Sequence, residues 1–478
     1  MTNPKEMTEQ RPAVIEPTPK RAGMTRAEMA GAYAALVVTL LQTLVVPLTP
    51  RFPQLFDTTA SMAAWIVTAT LLTGAIATPI LSRLADMVGK RRIILVSLAL
   101  VLVGSLIAPF GGIVGIIVGR SLQGIGTAII PVTMALMRDH VPHERLSPAL
   151  ALISAMLGIG GGLGIPLGGV IMKLAGWQSI FWLSAIMTAL AIVAIVRAIE
   201  PEERTVHGGS FDLRGAVVLA IGLTTFLVGM SKAGEWGFAS PLTISLILIG
   251  LAVLGLWTLL QSRTEHPLMS MRTAFERPIF MVNVAALLLG FTMFMNLLVT
   301  TVQLQNLRVE HGFELGPQAA GLAMVPSAII SGLMAPVSAR IAERFSPRVL
   351  LVLGSLIVAT GYLLRWGMSP NVGMVIFWAT FLTVGISLGY SALPMIVVHH
   401  VDRADTASAN GLNALLRSIG MTLGSTFVGM VGVLLAVEHA GHAGPSWNAN
   451  VAVFLTGAVA GLIAAAAAFL TETRHEKK

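Results

Sequence analysis

Long apolar runs alternate with short polar breaks along this chain, and within each run the apolar residues are continuous rather than every second one. Fourteen runs can be marked, at about 29–50, 62–82, 93–110, 112–137, 149–172, 177–198, 213–231, 241–262, 279–304, 318–339, 348–366, 371–398, 407–436 and 448–470. Their lengths suit the ~20 residues that carry a helix across a bilayer. A barrel strand would show a two-residue alternation, and no open strand satisfies its backbone in lipid. The pattern predicts an all-α integral membrane protein of fourteen transmembrane helices.

The polar breaks orient these spans. With the amino-terminal tail and every even-numbered loop on one side, that side receives 24 of the 31 lysines and arginines. The other side receives five, Arg51, Lys173, Lys232, Arg308 and Arg365, and Arg120 and Arg417 fall within spans. Basic loops stay cytoplasmic, so both termini are expected in the cytoplasm. Arg417 is expected to snorkel toward the cytoplasmic surface. Residues 1–28 are polar and proline-rich, without the apolar core of a secretory signal, and read as a disordered cytoplasmic tail.

One loop occurs twice. PILSRLADMVGKR at 79–91 aligns with PVSARIAERFSPR at 336–348, pairing Pro79 with Pro336, Arg83 with Arg340, Asp86 with Glu343 and Arg91 with Arg348. Two related halves are the pattern of secondary transporters. The copies follow the second and tenth runs, so two extra spans separate the halves. The expected organisation is a tail at 1–28, a six-helix half at 29–200 and a linker with two extra helices at 201–277. A second six-helix half at 278–471 and a tail at 472–478 complete it.

Composition agrees: 55% of the 478 residues are hydrophobic and 11% charged, against about 25% charged in soluble domains. The net charge of +8 follows from the loop bias, so no nucleic-acid partner is expected. The absence of cysteine excludes disulfides and thiolate chemistry. Arginine far outnumbers lysine, the bias of a GC-rich bacterial genome, and the expected location is a bacterial inner or plasma membrane.

Four stretches carry a family resemblance. SRLADMVGKRR at 82–92 holds Asp86, Gly89, Lys90, Arg91 and Arg92; IIVGRSLQGIGTAIIP at 116–131 holds Arg120, Gln123, Gly124 and Gly126. GIGGGLGIPLGG at 158–169 holds Gly164, Pro166, Gly168 and Gly169, and GWQSIFWLS opens the sixth run at 176. Together they resemble the major facilitator superfamily, in its fourteen-span drug:proton antiporter branch. Departures are Ser82 for the usual glycine, Met87 for the usual arginine, and Ile165 inside the usual Gly-Pro pair. The resemblance implies a conformational-switch loop at Asp86, Gly89, Lys90, Arg91 and Arg92, with Asp86 latching the two halves. It also implies an antiporter motif at Gly164, Pro166, Gly168 and Gly169, associated with export. The bare residues allow plainer roles: a solvated loop for the first and close helix packing for the second.

Proton-coupled transporters usually keep a carboxylate within the membrane, where burial tunes its titration. None of the 23 acids falls mid-span here. In the first span, LLQTLVVPLTP at 40–50 has Leu41 and Val46 where drug exporters of this branch often show aspartate and asparagine. The loss argues against a strict organic-cation pump and leaves Arg120 as the fixed charge, bonded to backbone carbonyls, Gln42 or Gln123. Asp57, near the external mouth, is the other candidate for proton coupling. Candidate pocket residues are Gln42, Thr43, Gln123, Phe291, Met295, Asn296 and Tyr390, with Trp65, Thr68, Asn283, Met293, Phe294, Gln303, Asn410 and Asn413 also at polar or aromatic mid-depth positions. Methionine beside phenylalanine in GFTMFMNLL at 290–298 makes a surface tolerant of varied ligands.

No catalytic constellation, phosphate loop or convincing metal cluster is visible, so no enzyme activity and no cofactor are expected. The expected function is proton-driven export of drugs or other hydrophobic or amphipathic small molecules by alternating access, by a monomer in the lipid bilayer. The alternatives are a dedicated exporter of one metabolite, lipid or antibiotic, and a non-transporting scaffold or sensor on the same fold.

Overall fold

The computed structural model describes residues 24–45, 52–58, 60–201, 211–265, 267–402, 405–439 and 442–471. Most of both tails, Pro50, Arg51 and linker residues 202–210 lie outside the described residues. The first portion runs α1 (Arg26–Leu44), the short α2 (Phe52–Leu55), α3 (Ala60–Val88) and α4 (Lys90–Ile107). It continues with α5 (Gly112–Gly124), a 3-10 turn, α6 (Ile129–His140), α7 (His143–Ala175) and α8 (Gln178–Ala198). Then come α9 (Leu213–Trp236), α10 (Pro241–Arg263) and the short α11 (Met271–Phe275). The last portion holds α12 (Arg277–Gln305), α13 (Pro317–Leu322), α14 (Val325–Arg344), α15 (Pro347–Gly367), α16 (Val372–His400), α17 (Thr406–Leu434) and α18 (Trp447–Phe469).

Among the described residues, twelve helices are long and apolar enough to cross a membrane, or thirteen if Ala319–Met334 and Pro336–Arg344 form one bent span. The all-helical expectation holds for the membrane part; a short hairpin, β1 (Ala436–His439) with β2 (His442–Pro445), precedes α18. Polar residues set the helix ends. Thr25 and Glu28 form a capping box at the start of α1, so this helix begins inside the segment expected as tail. Ser346, Asn371 and Ser446 cap α15, α16 and α18. Gly89 alone separates α3 from α4, at φ 109°, a conformation that strains any side chain.

The same packing occurs twice. In the first portion α1 lies on α7 and α8, α4 on α5 and α8, and α3 on α5; in the last, α12 lies on α17 and α18, α15 on α16 and α18, and α14 on α16. The glycines that permit close approach repeat too. A Cβ on Gly119 would sit 2.4 Å from the Gly104 carbonyl, and one on Gly385 would sit 2.6 Å from that of Gly354. The two packs meet where α3 crosses α17 and where α7 crosses α14. Helices α9 and α10 pair with each other, and α9 also lies against α3 and α17. Leu223 and Phe226 of α9 and Trp257 of α10 share an apolar cluster with Ala75 of α3 and Leu415 of α17.

Candidate functional site

The last turn of α3 meets the first turn of α17. Here Asp405 precedes α17 without capping it and instead accepts from Arg83 Nη1 at 3.0 Å. The capping is done from the other half. Asp86 Oδ1 accepts from Ala407 N at 3.2 Å, and Oδ2 accepts from Ser408 N at 2.8 Å and Ser408 Oγ at 2.7 Å. A carboxylate on the open N–H groups of a helix start satisfies orphan donors and meets the positive end of the macrodipole. Arg138 of α6 adds a second strap, donating to Val401 O and Thr406 Oγ1. One turn before Asp86, buried Ser82 lies against Gly411 of α17, where an added Cβ would come 2.6 Å from Ser82 Oγ. The serine that replaces the usual glycine therefore abuts a glycine on the facing helix. Lys90 holds Asp139 at 2.7 Å, Arg91 reaches the Val196 carbonyl at 3.5 Å, and Arg92 is exposed. Among the described residues the second copy of the loop makes no such latch, and Glu343 is exposed.

Arg120 is sealed from water. It donates from Nη1 to Leu41 O (2.8 Å) and Gln123 Oε1 (3.0 Å), from Nη2 to Gln42 O (3.3 Å) and from Nε to Ile66 O (3.3 Å). Gln123 is held in turn by Ser105, 2.8 Å away. Every acceptor is neutral, and two are carbonyls in the last turn of α1, where a helix end attracts a cation. The residue thus fastens α1 and α3 to α5.

The last portion contains a counterpart that the loop bias concealed. Arg365 was expected outside the membrane; it lies fully buried in α15. Its Nη1 donates to Asn296 Oδ1 (3.1 Å) and Thr300 Oγ1 (2.8 Å), and Nη2 to Gln303 Oε1 (2.9 Å), while Phe454 stacks at 5.1 Å. Asn296, Thr300 and Gln303 form one polar stripe on α12. Asn296, proposed for a pocket, therefore belongs to a clamp between helices of one half.

Arg417 also departs from expectation. It does not snorkel: it lies mid-helix in α17, buried, with its guanidinium 4.9 Å from the centre of the Tyr390 ring. The twelfth residue of a helix is about 16 Å along it, too deep for a side chain to climb out. Tyr390 donates its hydroxyl to Met293 Sδ at 3.2 Å, and its carbonyl accepts from Ser154 Oγ of α7 at 3.4 Å. So α7, α12, α16 and α17 converge at this point. The acids of the described residues, by contrast, lie in first or last helical turns, in loops or in the hairpin.

The remaining candidates sort by position. Thr43 donates to Gly160 O at 3.0 Å, between α1 and α7. Met295 is in the core of the last portion, and Phe291 packs on Phe427 at 5.9 Å. Gln42 contributes its carbonyl to Arg120. Asp57 is exposed in a turn after α2, at φ 48°. The glycine run of α7 works on two faces. Gly160 and Gly164 receive α1, with Thr43 Oγ1 only 1.9 Å from where a Gly164 Cβ would be; Gly158 and Gly162 receive Ser331 and Ala328 of α14. Pro166 is accommodated inside the helix, Gly168 is buried, and Gly169 faces open space.

The Major Facilitator Superfamily model matches residues 31–425 and again 311–478. The chain is 26% identical over 413 residues to the tetracenomycin C resistance and export protein of Streptomyces glaucescens, covering 84% of this chain and 75% of that one. It is 25% identical to the lincomycin resistance protein LmrB of Listeria monocytogenes, covering 76% and 74%. The structure of the human organic anion transporter MFSD10 (TETRAN) superposes with a TM-score of 0.63 at 16% identity, over 94% of this chain and 99% of that one.

Proposed function

The chain belongs to the major facilitator superfamily, and from that premise we propose that it is a secondary active exporter of drugs or other amphipathic small molecules, driven by protons. The observation that carries this is the twice-repeated helix pack joined along α3–α17 and α7–α14, with Asp86 of one half capping a helix of the other. Two rigid packs with one latched seam can rock about a site between them, which is alternating access. Capping by Asp86 favours the state closed at the α3–α17 end. Opening that end breaks all three hydrogen bonds. A proton on Asp86 would remove the charge that holds α17, so Asp86 is better placed for coupling than exposed Asp57. Relatives named for tetracenomycin C and lincomycin resistance support antibiotics as substrates.

The full membrane count is fourteen in this reading. Helix α4 opens on Lys90, Arg91 and Arg92, which leaves Ile93–Ile107 as its apolar part; its packing between α5 and α8 makes it a span of the first half. The bent α13–α14 pair is another. Helices α9 and α10 are the two spans added between the halves, and 29–200 and 278–471 are the halves themselves. Both termini face the cytoplasm of a bacterial cell, and the protein works as a monomer in the plasma membrane.

Expression in a bacterial strain stripped of its efflux pumps tests the proposal. Resistance to at least one compound in a panel of antibiotics and dyes is expected, lost in Asp86→Ala. Purified protein in vesicles should move the same compound when a pH gradient is imposed. Neither resistance nor gradient-driven flux for any panel member would defeat the exporter reading and favour a scaffold or sensor.

A further inference from the structure

Three deeply buried arginines are not equivalent. Arg120 spends its donors on four neutral oxygens and Arg365 on three. Arg417 has neither a hydrogen-bond acceptor nor a carboxylate among the described residues; its contact there is the Tyr390 ring. It is 9% exposed, yet its nitrogens are not among the atoms sealed from water without a partner, as Arg365 Nε is. A cation buried at mid-membrane depth without an acceptor is costly. An anion that entered here would meet a buried cation whose donors no described residue takes up.

The surroundings shape such a visitor. The Tyr390 ring lies 4.9 Å from the guanidinium carbon and takes none of its N–H donors, and those donors form the bidentate fork that carboxylates and sulfonates fit. The Tyr390 hydroxyl is given to a thioether, Met293 Sδ, a weak acceptor that a charged oxygen would displace. Met293, on the side of α12 that faces Tyr390, supplies a soft apolar contact beside the ring. Ser154 brings α7 of the other half to the Tyr390 backbone, so a ligand here would sense both halves. We propose that Arg417 and Tyr390 anchor the oxyanion of an amphipathic substrate whose apolar body lies against Met293. This names the substrate class of the exporter proposed above and rests on that reading for transport, though not for binding.

Binding is therefore measured first, on purified full-length protein with 8-anilinonaphthalene-1-sulfonate, taking the component displaced by unlabelled naphthalene-2-sulfonate. Saturable binding is expected in the wild type. Arg417→Gln should weaken it about tenfold or more because the charge is lost, Tyr390→Phe about threefold because one neutral donor is lost, and Arg417→Lys less than Arg417→Gln because the charge is kept. Melting temperature follows the fold of each variant. A cationic dye, ethidium, serves as the control and should bind Arg417→Gln no worse than wild type. Absence of displaceable sulfonate binding in the wild type overturns the proposal. So does equal binding in Arg417→Gln, or parallel loss of both dyes with a lowered melting temperature. Sulfonate binding that depends on Arg417 with no gradient-driven flux of any probe would instead defeat the exporter reading and leave the anion site standing.

Discussion

Asp86→Asn isolates the charge of the latch from its shape. The carboxylate accepts three hydrogen bonds at the start of α17, from Ala407 N, Ser408 N and Ser408 Oγ. Hydrogen bonds to a charged group are worth about 1.5–3 kcal/mol each, and neutral ones about 0.5–1.5. The amide keeps one acceptor oxygen and loses the attraction to the helix start, itself about 0.5–1 kcal/mol. A loss of about 2–3 kcal/mol follows, shifting the closed-to-open ratio about 30- to 150-fold. The chain has no cysteine, so Ser82→Cys supplies a single thiol. Ser82 is sealed between α3 and Gly411 of α17, and a serine-to-cysteine change there is small. Its reaction rate with a membrane-impermeant maleimide, applied from the α3–α17 side, follows the open population. The rate should rise about 30-fold or more in Asp86→Asn. It should rise less than about tenfold in Arg83→Met, because the Arg83–Asp405 pair is partly exposed. Equal rates in wild type and folded Asp86→Asn would refute the latch.

The glycine motif of α7 divides by contact. Gly164→Ala places a methyl 1.9 Å from Thr43 Oγ1 and should lower stability by about 1–3 kcal/mol, read as a drop in melting temperature that Thr43→Ala partly restores. Gly169→Ala meets nothing within 4 Å and should leave the melting curve unchanged. In the Arg365 clamp, Arg365→Met strands the Gln303 oxygen and leaves Asn296 Oδ1 to Thr300 alone, and should cost about 1–3 kcal/mol. Adding Gln303→Leu should recover part of that loss, since replacing both partners by apolar groups is cheaper than removing one. A double variant less stable than the single would overturn this account.

The spans were legible because a bilayer imposes length and apolarity on every helix that crosses it, whatever the helix packs against. Arg120 was legible for the same reason: a cation in an apolar run needs oxygens, and Gln123 lies one turn away on the same helix. Arg365 was not, because it stands two residues before the end of α15, where a count of loop charges assigns it outside. The signal was on another helix. Asn296, Thr300 and Gln303 recur at helical spacing in an otherwise apolar run, and three polar groups on one face call for a shared donor. Arg417 stands three turns into its run, and snorkelling suits an arginine in the first turn at the cytoplasmic end; what the run alone does not show is the Tyr390 ring that receives it. Ser154 and Tyr390, more than two hundred residues apart, meet only through the tertiary fold, and no periodicity announces that.

The repeat separates what holds this molecule from what moves it. The glycine pairs Gly104–Gly119 and Gly354–Gly385 occur in both halves, as do the paired glycines Gly160 and Gly164 of α7 and Gly420 and Gly424 of α17. Each half also has a buried arginine fastened to neutral oxygens, Arg120 on α1 and Arg365 on α12. Duplicated features of this kind keep a half rigid and give no reason for one half to move against the other. The unduplicated ones do. Asp86 caps the opposite half while its counterpart Glu343 stands in the open, and Arg417 waits without an acceptor among the described residues. Charges that the fold leaves single are the ones whose interactions would change as the halves rock, so the proposed transport cycle puts the gate at Asp86 and the cargo at Arg417.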